Sequence, residues 1–195
     1  MKPRIIYLIL FLALFLTAST KSFVVDHLHL LTDKTQTIIN DTNNFYQKRT
    51  QRPKIIIETV NRIDNLKPNH LKDSSHSVYI VFGRKNNKTN VQIYRTKDMS
   101  NIINQKFIYN LISSQANTLK SADKQKVNAS LQLLIKACIT KINQKFSYDN
   151  AQYELTHEQM TKLQHPNSMN MGWAIVIALV VGAVLWYFRK QKTFR

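Results

Sequence analysis

The last 25 residues, MGWAIVIALVVGAVLWYFRKQKTFR, constrain this chain more than any other stretch. From Met171 to Phe188 there is no charge and no strongly polar side chain. A helix rises about 1.5 Å per residue and a hydrocarbon core is about 30 Å thick, so such a run is just long enough to span it. Trp173 stands at one end and Trp186 and Tyr187 at the other, where amphipathic rings settle at the headgroup level. Arg189, Lys190, Lys192 and Arg195 follow at once and hold that end in the cytoplasm. The competing reading, a buried core helix, fits poorly with so clean and so well flanked a run.

The other terminus agrees. Lys2 and Arg4 precede the apolar stretch Ile5 to Leu16, and Thr17-Ala18-Ser19-Thr20 follows it. A basic start, a short apolar run and a small-residue exit form a secretory signal, assigned to residues 1–20; an uncleaved anchor is the alternative. Either way the middle of the chain is expected outside the cytoplasm, in a protein held in the cell membrane by one span. The expected parts are a folded outer domain over residues 21–147, a polar stalk over 148–170, the transmembrane helix over 171–188 and a basic cytoplasmic tail over 189–195.

Charge bears on partners. The chain has 28 Lys and Arg against 11 Asp and Glu, and the two ends supply six of the cations, which leaves 22 against 11 outside. The outer location argues against nucleic acid; a basic domain held near a membrane instead meets anionic lipid or anionic wall polymer, at about 1 kcal/mol per well-placed cation, with generic solubility as the alternative reading of the charge. The single cysteine, Cys138, excludes a disulfide framework and a cysteine zinc site, and its place on an apolar helix face makes it a small buried hydrophobe. His27, His29, His70, His76, His157 and His165 form no compact ligand pattern, and three glycines leave no material for a phosphate-binding loop.

Within the outer domain, Leu31, Ile38 and Phe45 recur at sevens, joined by Ile39 and Tyr46, and Thr32 with Asp33 opens the helix they define, which runs to about Arg49. Lys54–Val60 is β-branched and reads as a buried strand. Ser77–Gly83 is a second strand, Arg84–Asn90 a turn-rich loop, and Val91–Tyr94 a third strand. Asp98 or Ser100 then caps a helix carrying Ile102, Ile103, Phe107, Leu111 and Ile112; Ser121 and Asp123 open a longer one through Val127, Leu131, Leu134, Cys138 and Ile142. The expected fold is α/β: a single layered α/β/α domain with a small central sheet, plus the C-terminal transmembrane helix.

The stretch VVDHLHLLTDKTQTIINDTNNFYQKRTQRPKIIIETV resembles the start of the TPM domain, the family of thylakoid-lumen, photosystem-repair and nematode receptor-modulator proteins. The matching elements are Val24 to Asp26, Leu30 to Thr32, the first helix, the turn Thr50 to Pro53, and Ile55 to Val60. SVYIVFGRKNNKTNVQIY is similar to the family's apolar strand, basic hairpin and following strand. The resemblance covers about residues 23–146, and it extends to the layout of signal, outer domain and membrane helix. It implies a domain that binds or assists another envelope protein or an anionic ligand; the alternative it implies is a metal-dependent acid phosphatase using calcium or another divalent cation. Asp26 and Asp98 are the residues placed to match loop carboxylates, with Asp64 and Asp73 as further candidates.

Departures from the family weigh against catalysis. The connection from Asn61 to Ser77 is short and contains Pro68, and Arg95-Thr96-Lys97-Asp98 has no glycine where the family carries a Gly-x-Gly stretch. Lys72, Arg95 and Lys97 would repel a cation nearby. Asp98 as a helix cap and Asp26 as a turn residue are the plainer readings. Arg84, Lys85, Lys88, Arg95 and Lys97 are expected to cluster on the hairpin and its exit as an anion site; a solvated basic loop is the plainer alternative there.

Overall fold

The computed structural model describes residues 22–164 except 69, 70, 72 and 73. The signal at 1–20, the span at 171–188 with Trp173, Trp186 and Tyr187, and the tail with Arg189, Lys190, Lys192 and Arg195 lie outside the described residues. Among the described residues no helix is long and apolar enough to cross a membrane. The fold is α/β, with a small mixed sheet and helices. The chain divides after Lys97 into two compact units.

The first unit holds a four-stranded sheet in the order β1 (Val24–Asp26), β2 (Lys54–Val60), β3 (Ser77–Lys85), β4 (Lys88–Arg95). The first three strands are parallel and β4 runs back against β3. Helix α1 (Asp33–Gln47) connects β1 to β2 and packs on both. Alternation sets the two faces. Ile55, Ile57, Val78, Ile80 and Phe82 share one face and are fully buried. Val60, Tyr79 and Val81 share the other, where Leu66 of the β2–β3 connection covers them. That connection makes a parallel crossover without an α-helix among its described residues, the cramped form its length demanded.

Several expectations are corrected. Val24–Asp26 is a strand, too short to carry a periodic signal and defined only by its pairing to Ile57–Thr59. The loop expected at Arg84–Asn90 shrinks to the two-residue turn Asn86-Asn87, with φ of 49° and 62°. Positive φ at both turn positions matches the twist of the strands, and asparagine tolerates it. Thr32 does occupy the N-cap position of α1, yet its hydroxyl meets that of Thr35 at 3.0 Å instead of capping a backbone N–H.

The second unit is helical: α2 (Gln105–Leu119), α3 (Lys124–Phe146) and α4 (His157–Gln164). Neither Asp98 nor Ser100 caps α2. Asn104 does, its Oδ1 accepting from the Phe107 N–H at 2.8 Å, so buried Ile102 and Ile103 precede the helix. Asp123 caps α3 through Gln125 N–H at 2.8 Å. The stalk expected from Tyr148 is packed structure through Gln164. Leu155, Met160 and Leu163 are buried there, and the Leu155 N–H donates to Thr140 Oγ1 at 2.9 Å. Thr156 and Gln159 form a reciprocal capping box at the start of α4. The composition of this segment is polar, but Leu155, Met160 and Leu163 turn inward.

Cys138 takes its expected place on the buried stripe of α3 beside Leu134, Ile135 and Ile142. Burial pushes its thiol up to about 12. The thiolate is the reactive species, so the folded chain should resist iodoacetamide at pH 8 and react fully in urea. Labelling at the same rate in both states would contradict the burial.

Candidate functional site

The carboxyl ends of β1, β2 and β3 lie at one end of the sheet, because these strands are parallel. Loops at such ends are where open α/β sheets hold ligands. Asp26 closes β1, Thr59 and Gly83 lie near the ends of β2 and β3, and Arg62 with Asp64 follows β2.

Asp26 is built into that end. Its Oδ1 accepts from the Leu30 N–H at 3.0 Å and its Oδ2 from the Leu31 N–H at 2.8 Å. The Thr59 hydroxyl donates to Oδ1, and Thr59 Oγ1 in turn accepts from the Leu28 N–H at 3.1 Å. The carboxylate thereby ties the β1 exit, with His29 at φ 48°, to the end of β2. A hard cation wants several unclaimed oxygen ligands; both Asp26 oxygens already serve the turn. Asp98 lies in the other unit, exposed in the single 3-10 turn Lys97–Met99. Asp64 is exposed on the β2–β3 connection, and Asp73 lies outside the described residues. Among the described residues no three His, Cys, Asp or Glu side chains gather. The donors at Asp26 do not fit the calcium site that the resemblance implied.

The five expected anion-binding cations do not form one cluster. Lys85 and Lys88 face each other across the hairpin turn, and Arg84 pairs with Thr89 beside them. Arg95 pairs with Val78 at the far end of β3. At about 3.4 Å of rise per residue the length of β4 puts Lys88 and Arg95 about 24 Å apart, and Lys97 follows Arg95. The grouping held in sequence and fails in space because an antiparallel strand carries its two ends to opposite sides.

Another cation replaces them. A Cβ on Gly83 would sit 2.1 Å from the Arg62 carbonyl oxygen, so the backbone at Arg62 lies directly on the base of the hairpin. Asn90 fastens the same loop, its Nδ2 donating to the Ile63 carbonyl at 2.7 Å. Arg62, Arg84, Lys85 and Lys88 therefore share the carboxyl end of the sheet, with the acidic Asp64 on the same loop as Arg62. Lys85, Lys88 and Arg62 are exposed; Arg84 is half-buried with its guanidinium 5.2 Å from the centre of the Phe82 ring. Sequence reasoning missed Arg62, and the signal that bore on it was Gly83, a strand glycine of the kind that marks close backbone approach.

No protein-family model matches the chain, and no curated protein matches it. Among solved structures it is similar to the solution structure of the N-terminal domain of the cg2496 protein from Corynebacterium glutamicum. The identity is 10%, the match covers 71% of this chain and 88% of that one, and the TM-score is 0.42. A likeness at that level says nothing about what this chain does.

Proposed function

We propose that the chain is a single-pass membrane protein whose outer part is a TPM-like, layered α/β/α domain acting by binding. The basic end of the sheet, Arg62, Arg84, Lys85 and Lys88, engages an anionic surface: lipid headgroups, wall polymer or the acidic face of another envelope protein. The observation that carries this reading is that the Gly83 contact and the hairpin turn bring the backbone of those four residues to one end of the sheet. The apolar run at 171–188 and the cations behind it support the tether and the extracytoplasmic placement. The phosphatase alternative is the weaker one, since Asp26 is committed to Leu30, Leu31 and Thr59.

A fragment of residues 22–164 should sediment with phosphatidylglycerol vesicles and not with phosphatidylcholine vesicles, less so as salt rises. Lys85→Gln with Lys88→Gln should weaken binding about thirtyfold, from about 1 kcal/mol per cation. An equal loss from Arg95→Gln with Lys97→Gln would mean diffuse charge and not this end of the sheet. Phosphate-ester hydrolysis with calcium or magnesium, removed by Asp26→Asn in a folded variant, would sink the binding reading in favour of the phosphatase.

A further inference from the structure

The second unit contains a cavity of about 300 Å³ lined by Asn101, Ile102, Asn104, Lys106, Phe107, Asn110, Lys141 and Gln164. Its volume is at the low end for small-molecule pockets. Three helices and the loop before α2 build it. Asn110 Nδ2 donates to the Gln164 carbonyl at 2.6 Å, which fixes the end of α4 against α2 as one wall. Ile102 and Phe107 are buried and form an apolar floor. Lys141 reaches over from α3, with its ammonium 5.9 Å from the centre of the Phe107 ring.

Its charged side chains have one sign. No acidic residue is among the described residues that line it. Lys106 stands in the first turn of α2, where the helix already presents its positive end, and that turn has no acidic residue. A lysine there is unfavourable by itself and becomes favourable when an anion sits between it and Lys141. Two lysines lining one cavity, one of them with its ammonium over an aromatic ring, match a ligand that is charged at one end and flat and apolar at the other.

We infer that this cavity binds a small organic phosphate monoester, its phosphate between Lys106 and Lys141 and its apolar part on Phe107 and Ile102. The inference does not rest on the sheet-end reading, because the two sites use different residues in different units.

Calorimetric titration of the full chain, held in a maltoside detergent, with phenyl phosphate tests it. One saturable site with Kd below about 1 mM is expected, with inorganic phosphate weaker for want of the apolar part. Lys106→Gln and Lys141→Gln should each weaken binding about tenfold, as loss of one charge-assisted contact does. Lys106 is exposed, so its variant keeps the fold and keeps the test decisive. Lys85→Gln with Lys88→Gln should leave phenyl phosphate binding unchanged. Failure to saturate by about 10 mM would overturn the site. So would equal binding of neutral benzyl alcohol, or an equal loss from the hairpin pair.

Discussion

Asn43→Ala is expected to lower stability by about 3–5 kcal/mol, through two orphaned backbone groups and a lost helix contact. Asn43 is fully buried on α1. Its Nδ2 donates to the Ile55 carbonyl at 2.7 Å and to the Ile39 carbonyl at 2.9 Å, while its Oδ1 accepts from the Ile55 N–H at 2.9 Å. The reason lies in the sheet. β1 pairs with β2 only from Ile57 onward, and the Ile57 N–H donates to the Phe23 carbonyl. Ile55, two residues earlier, points its N–H and C=O to the same side, where none of the described strands reaches. The Asn43 amide supplies the donor and acceptor that the missing strand would have given. Alanine leaves both Ile55 groups buried and unmet. Asn43→Asp keeps the acceptor but aims a carboxylate at two carbonyls. Burial against those carbonyls raises the carboxyl's folded pKa, so the variant should lose stability at neutral pH and recover part of the loss as pH falls toward about 4, where the protonated carboxyl can donate. Urea denaturation followed by circular dichroism measures both; a loss under about 1 kcal/mol for alanine would show that the bridge contributes little.

Gly83→Ala should destabilise by about 1–3 kcal/mol, and Gly83→Val by more. Strand propensity predicts the opposite sign, since glycine weakens a strand interior and valine favours it. The backbone at Gly83 has no positive φ, so conformation is not the obstacle. Space is: the added Cβ would meet the Arg62 carbonyl at 2.1 Å and Leu66 Cδ2 at 2.9 Å. Leu66 could swing aside, whereas the carbonyl belongs to the loop that covers Val60, Tyr79 and Val81. Relief requires the loop to lift and expose that face. The urea midpoint should fall, and amide exchange should quicken around Leu66 before it does so in β3. An alanine variant as stable as the parent would show that the loop is not seated there. Because the same contact brings Arg62 to the hairpin, these variants should also weaken binding to anionic vesicles while leaving Lys85 and Lys88 in place.

Much of the fold was legible along the chain. Ile38, Ile39 and Tyr46 share a helical face, and Lys54–Val60 and the core of Ser77–Lys85 announce themselves as β-branched runs. The stripe Val127, Leu131, Leu134, Cys138, Ile142 marks α3. Each is a repeat within one element, and repeats within an element are written in consecutive residues. The C-terminal run and its cations are of the same kind, a property of composition that needs no partner.

What only the tertiary structure decided are relations between elements. Val24–Asp26 is a strand because Ile57–Thr59 lies beside it. Asn43 reads as one more polar residue on a helix until the short reach of β1 leaves Ile55 in need of an amide. Asp26, a candidate ligand by position, is a turn-holder because Leu30, Leu31 and Thr59 use its oxygens. Five cations near one another in sequence part company when β4 carries Arg95 and Lys97 to the far end, and Arg62 joins the rest through a glycine. Sequence distance measures how much chain lies between two residues, and register and close approach determine which of them share a surface.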